Sequence, residues 1–170
     1  EPEPHLNNRR IFCPRGKMIG GCSSHNGMVF VRGNRNDYER WENFGLKSWS
    51  YEKILPYFKK IENWSGGESQ YRGSFGPLPV NQSKNDNPLF KAFISSASEA
   101  GHEVNPDMNG ENQEGFGMFD TTIHNGERAS TTKYYLNPAK KRKNLNIFSN
   151  SFVERIIFSG KKATGIEVKI

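Results

Sequence analysis

Hydrophobic residues fall in short blocks between stretches rich in Gly, Asn, Ser and Pro, and their spacing changes from block to block. Tyr38 and Trp41, three apart within Asp37 to Phe44, mark one face of a short helix that Gly45 ends. From Ser50 onward, Ile54, Leu55, Phe58 and Ile61 recur at helical spacing, which requires Pro56 to lie near the first turn or to kink it. Asn87-Pro88 supplies a cap and a first-turn proline. Phe90, Phe93, Ile94, Ala97 and Ala100 then form a stripe that Gly101 stops. Phe119, Thr121 and Ile123 alternate like a strand buried on one face. Thr131 to Ala139 reads as a helix, with Pro138 near its end. The tail predicts a hairpin: Asn146 to Phe158, a turn at Ser159-Gly160-Lys161-Lys162, then Ala163 to Ile170. Residues 65–87 read as loop with a short strand at Pro77 to Val80, and residues 102–117 as glycine-rich loop. These elements make the chain mixed α/β (α+β), with no internal repeat.

One stretch follows neither period. Arg15 to Met28 holds four glycines in fourteen positions, with Cys22, Ser23, Ser24, His25 and Asn26 among them. Gly20-Gly21 removes two β-carbons in succession, so the backbone there can turn tightly and lie against a ligand. A glycine turn that opens into a helix start can hold an anionic group on its backbone N–H groups. The same two glycines also suit a tight turn that binds nothing. The flanking Arg15, Lys17 and Arg32-Gly33-Asn34, leading into Asp37-Tyr38-Glu39-Arg40-Trp41, mark an organised segment rather than a lone turn.

The net charge of +6 raises the question of an anionic partner. Its clearest source, Lys140-Lys141-Arg142-Lys143, follows a predicted helix, where cations complement the helix dipole. No basic stripe is interleaved with stacking aromatics, which argues against nucleic acid. Cys13 and Cys22 are the only cysteines and read as free thiols, with a disulfide as the alternative. No pair of histidines, cysteines or carboxylates has metal-ligand spacing. Asn63-Trp64-Ser65 and Asn81-Gln82-Ser83 are glycosylation sequons that favour secretion, and no apolar run approaches membrane-spanning length.

Taken in order, these blocks resemble the glucose–methanol–choline (GMC) oxidoreductases, which use FAD. The family's first signature, Gly-Lys-x-hydrophobic-Gly-Gly-small-Ser-x-hydrophobic-Asn followed by Arg-Gly-Asn and Asp-Tyr-x-x-Trp, is matched from Gly16 to Trp41. Further matches run through Gly76-Pro77-Leu78-Pro79-Val80, Asp107-Met108-Asn109-Gly110, Asn125-Gly126-Glu127-Arg128, Tyr135-Leu136 with Pro138, and Asn144-Leu145 to Val168. Cys22 stands where the family usually has Gly, Ser or Thr, and His25 where an aliphatic residue is commonest. Cys-Ser-Ser-His-Asn resembles the choline oxidase branch. Other blocks are closer to the animal alcohol and sugar dehydrogenases, so the branch stays open at this point.

The resemblance implies a partial FAD/NAD(P)-binding-type domain with part of a substrate-side domain. Residues 1–40 and 145–170 would be the FAD-binding part, and residues 41–144 the lid and substrate side. Family members are several times longer, and no GxGxxG turn is present, so the chain is expected to be an internal piece of a flavoenzyme. The implied cofactor contacts are Met18, Gly20, Gly21, Cys22, Ser23, His25, Asn26, Gly27, Met28, Val29 and, at the adenine end, Val153. In the choline oxidase branch the histidine at the His25 position is bonded covalently to the flavin; the alternative is a histidine beside a flavin held non-covalently. The implied partner is a small alcohol, sugar or choline-like substrate. No catalytic residue is expected here, since the family's catalytic pair lies in its C-terminal portion. The reading from a different class is a basic, non-catalytic binding domain with a purely structural glycine turn.

Overall fold

The computed structural model describes residues 2–170, in two units, Glu1–Pro138 and Ala139–Ile170. In the first, β1 (Pro2–Glu3) pairs antiparallel with β2 (Arg9–Arg10). The chain then runs through the glycine turn and a short 3-10 helix, Gly21–Ser24, into β3 (Val29–Phe30). Next come α1 (Arg35–Asn43), α2 (Tyr51–Ile61), β4 (Glu62–Trp64), β5 (Leu78–Gln82) and α3 (Pro88–Glu99). The unit closes with β6 (Asp120–Thr121), β7 (Ile123–His124) and β8 (Glu127–Arg128), and α4 (Asn137–Ala139) runs across its last residues into the first of the second unit. A four-stranded sheet in the order β3-β6-β5-β4 joins these pieces. Its pairs are antiparallel except β4 with β5, where Glu62, Asn63 and Trp64 face Leu78, Pro79 and Val80.

The helices start where local chemistry dictates. Asn34 caps α1 by accepting from the Asn36 N–H at 2.9 Å, and Asn87 caps α3 through Leu89 N–H at the same distance. Gly45 and Gly101, at φ of 98° and 84°, turn the chain out of α1 and α3. Aromatic edges pack within α1, from α1 to α2 and from α1 to the 3-10 turn Lys47–Trp49 between them. Tyr38 and Trp41 have ring centroids 5.3 Å apart, Tyr38 and Phe58 5.8 Å, and Trp41 and Trp49 5.6 Å.

The place of Pro56 is fixed, and two expectations change. Pro56 is the sixth residue of α2, beyond its first turn, so Glu52 C=O loses its helical donor. Pro56→Ala is therefore expected to raise stability by about 1–3 kcal/mol; a lower urea midpoint would refute this. Thr131 to Ala139 is not one helix but a π turn, Thr132–Leu136, followed by the three residues of α4. Pro138 has no N–H with which to continue a regular ladder. The face expected from Phe119, Thr121 and Ile123 is also reversed at its start. Phe119 is half exposed, and Asp120 is the buried residue.

Asp120 points to what fills this core. Arg72, Glu62 and Val80 are its most completely enclosed side chains, and two of the three are charged. Arg72 reaches Glu62 Oε1 at 3.2 Å, Asp120 Oδ2 at 2.8 Å and Asp107 Oδ1 at 2.5 Å. Arg32 Nη2 donates to Glu62 Oε1 at 2.5 Å, and Gly73 N–H donates to the same oxygen at 2.7 Å. Trp64 closes one side: its ring lies 4.1 Å below the Arg72 guanidinium, and its Nε1 donates to Asp120 Oδ1 at 3.2 Å. Burial pulls the Arg72 pKa down, but the bonds and charges of Glu62 and Asp120 outweigh it, and the result lies above the ordinary guanidinium value. For Arg32 burial wins over the attraction of Glu62, and its pKa is lowered.

The second unit is a hairpin of β9 (Phe152–Ser159) and β10 (Lys162–Lys169), turned by Gly160 and Lys161. The first strand begins later than Asn146, after Asn150 in the left-handed region at φ 55°. Ile156 pairs with Ile166 and Val153 with Val168, and two register shifts bend the ribbon. Eight basic and two acidic residues lie in Ala139–Ile170, so this unit carries the whole +6. The first unit is neutral in sum, although Arg9, Arg10, Arg15, Lys17, Arg32 and Arg35 fall within residues 4–36, which hold no acidic residue.

Candidate functional site

The glycine turn holds itself together through its own small side chains. Gly21 N–H donates to Met18 O at 2.9 Å, with Gly20 and Gly21 at φ of 91° and 53°. Only glycine accepts both angles without strain. Ser23 Oγ donates to Gly20 O at 2.6 Å, Ser24 Oγ to Ile19 O at 2.9 Å, and Gly16 N–H to Cys22 Sγ at 3.4 Å. Cys22 therefore acts as an acceptor inside the turn, and both it and Cys13 are free thiols. The small polar residues expected from the signature thus close the backbone on itself.

A second segment, distant in sequence, clasps the first. Asn125-Gly126, at φ of 51° and 75°, makes the two-residue turn between β7 and β8 and brings Arg128 back to the glycine segment. Arg128 Nη1 donates to Asn26 O and Asn26 Oδ1 at 2.7 Å each, and to Ser23 O at 3.3 Å. Thr131 N–H donates to Ser23 Oγ at 3.0 Å, and Thr131 Oγ1 to Gly20 O at 3.3 Å. Thr122 N–H donates to Met28 O at 2.8 Å, anchoring Met28 in its left-handed conformation at φ 62°. From the sequence, Arg128 is one residue of a matched motif and Thr131 the start of an expected helix, and neither carries a role at the site. The Asn-Gly turn was the available signal that Arg128 folds back.

Past the turn, the buried ionic core takes hold of the chain. Asn109 Oδ1 accepts from Arg32 N–H at 2.8 Å, while its Nδ2 donates to Phe30 O at 3.0 Å and Asp120 Oδ2 at 3.1 Å. The segment from Gly16 to Arg32 is therefore fixed at both ends and along its middle.

What remains open is one face of the backbone. Gly21 and Gly27 have no atom within 4 Å of the place a β-carbon would take, whereas at Gly16 such a carbon would strike the Gly21 carbonyl. At Gly20 it would strike Ser24 Oγ and Thr132 Oγ1. Thr132 Oγ1 is buried without a hydrogen-bond partner among the described residues. Met18 and Val29 are more than half exposed, and Ile19 nearly so. Bare glycine backbone and outward apolar side chains together suit a flat, apolar ring system. His25 ends the short 3-10 helix with its imidazole exposed. Of the expected contacts, Met18 through Val29 come together in this segment. Val153 lies in the other unit, paired with Val168. No group of three or more metal-ligating side chains is found among the described residues, and none of their helices is long and apolar enough to cross a membrane.

The family model described as GMC oxidoreductase matches residues 4–170. The chain belongs to this family. It is 50% identical over 169 residues to an oxygen-dependent choline dehydrogenase of Brucella anthropi, covering 99% of this chain and 31% of the relative. The enzyme of the same name from Sinorhizobium fredii is also 50% identical, with the same coverage. Among solved structures, pyridoxine 4-oxidase from Mesorbium loti superposes with a TM-score of 0.84 at 30% identity, covering 91% of this chain and 31% of that one. An FAD-dependent oxidoreductase from Chaetomium thermophilum gives 0.86 at 26% identity, covering 99% and 31%. The chain thus spans about a third of the length of these relatives. Family membership displaces the reading of a basic, non-catalytic binding domain.

Proposed function

We propose that this chain forms the flavin-side part of an FAD-dependent oxidoreductase acting on the CH–OH group of choline or a closely similar alcohol. The observation that carries the cofactor is the open backbone face at Gly21 and Gly27, rimmed by outward Met18 and Val29. The 50% identity to oxygen-dependent choline dehydrogenases supports the substrate. When bound, FAD supplies the acceptor for the hydride leaving the alcohol carbon.

This chain's residues hold and orient. The backbone of Met18, Gly20 and Gly21, with Cys22 and Ser23, would run along the cofactor. Asn26, Gly27, Met28 and Val29 would border the ring and its side chain. Val153 would meet the adenine through backbone groups, with residues 1–40 and 145–170 as the FAD-binding part and residues 41–144 on the substrate side. Removal of the substrate proton is left to residues that this chain does not provide.

His25 is the candidate tether. Its exposed imidazole would hold the flavin through a bond from a ring nitrogen to a methyl carbon, the two protons and two electrons released passing to the oxidant that serves turnover, oxygen in the relatives' names. The test is the complete gene product. It is expected to be yellow and to oxidise choline, and a colourless protein overturns the proposal. After acid precipitation the colour is expected in the pellet, and His25→Ala is expected to move it to the supernatant. Colour in the wild-type supernatant removes the tether while leaving FAD in place.

A further inference from the structure

Arg128 does more than close the loop, because of which atoms it meets. Asn26 Oδ1 accepts from Arg128 Nη1 at 2.7 Å and from Met28 N–H at 3.1 Å. Both partners can only donate, so the amide has one admissible rotation, with its oxygen held by the protein. The Asn26 side chain is exposed, and its Nδ2 finds no acceptor among the described residues. Asn26 is thereby fixed as an outward donor. Arg128 also takes Asn26 O and Ser23 O, so the side chain and the backbone that carries it are held by one guanidinium nitrogen.

We infer that Arg128 is a positioning residue that presents the Asn26 NH2 group as a fixed donor to the bound flavin and so makes reduction of the flavin easier. This rests on the cofactor reading of Asn26 given above. Reduction adds negative charge to the ring, and a donor already in place stabilises that charge without reorganising. The guanidinium behind the amide polarises it in the same direction. Without Arg128, the amide keeps only the Met28 N–H as partner and can turn its oxygen toward the ring, where an acceptor opposes the added charge.

The experiment equilibrates the purified, flavin-bearing gene product with reference dyes and reads the ratio of oxidised to reduced flavin. Arg128→Gln is expected to move that equilibrium toward oxidised flavin by about tenfold or more, the usual scale for a hydrogen bond to a charged group. Arg128→Lys, which keeps a cation and a donor, is expected to recover part of the shift. If Arg128→Gln fails to retain flavin, the same comparison is read from Arg128→Lys alone. In an Asn26→Ala background, Arg128→Gln is expected to change the equilibrium far less than in the wild type. A flavin-bearing wild type whose equilibrium is unmoved by either Arg128 variant overturns this inference alone. Additive effects of the Arg128 and Asn26 changes also overturn it, since Arg128 would then act independently of the amide. A wild type without flavin overturns the cofactor reading and this inference together.

Discussion

Arg72→Ala is expected to cost about 3–5 kcal/mol of stability, the scale for breaking a buried ion pair by removing one partner. The reason is what stays behind. Among the described residues, Glu62, fully enclosed, keeps only Arg32 as a cationic partner, and Asp120 loses its one ion pair. Asp107 loses its cation too, and the Trp64 ring faces a void where the guanidinium lay. With a urea dependence of about 1–3 kcal/mol per molar, the midpoint should fall by more than one molar. Arg35, paired with Glu39 and Glu52 on the exposed side of α1 and α2, is the control. Its replacement by Ala should leave the midpoint nearly unmoved, because exposed pairs are screened by water. Equal effects at the two arginines would show that the buried network is not what holds this core.

That network also separates what was legible in the sequence from what was not. The cap at Asn87 and the stops at Gly45 and Gly101 depend on neighbours within a few residues, so local chemistry reveals them. The Asn34 cap and the Asn-Gly turn before Arg128 are equally local, but the sequence reading expects the helix only from Asp37 and no hairpin at Asn125-Gly126. The glycine turn itself was legible for the same reason: Gly20, Gly21, Ser23 and Ser24 bond within one short segment. Arg32, Glu62, Arg72, Asp107 and Asp120 meet only after folding. Taken singly, each is a charged residue assigned by default to the surface. Asp120 reverses the expected face of its strand because Arg72 and Trp64 Nε1 wait for it inside, a partnership no periodicity displays. The Arg128 and Thr131 clasp was hidden in the same way, since its atoms are separated by more than a hundred residues along the chain.

The second large effect is expected at the glycines of the turn, and its value lies in how the four differ. Gly16→Ala places a methyl group against the Gly21 carbonyl, a backbone atom that cannot rotate aside. The turn must open, and both stability and cofactor retention should be lost. Gly20→Ala adds strain at φ 91° to a collision with Ser24 and Thr132 hydroxyls, so the same double loss is expected. Gly21→Ala meets no atom and pays only for its left-handed backbone, about 1–2 kcal/mol. Gly27→Ala has neither penalty. Its fold should stay within about 0.5 kcal/mol of the wild type, as for other surface changes. If the open face is where the flavin lies, a methyl group at Gly27 must nonetheless meet it. FAD affinity measured by titration of the apoprotein should then fall about tenfold or more, the 1.4 kcal/mol step that loss of close contact on one ring edge amounts to. Gly27→Ala thus separates a ligand cradle from a turn that merely folds: unchanged affinity, with the fold intact, would move the cofactor away from this face.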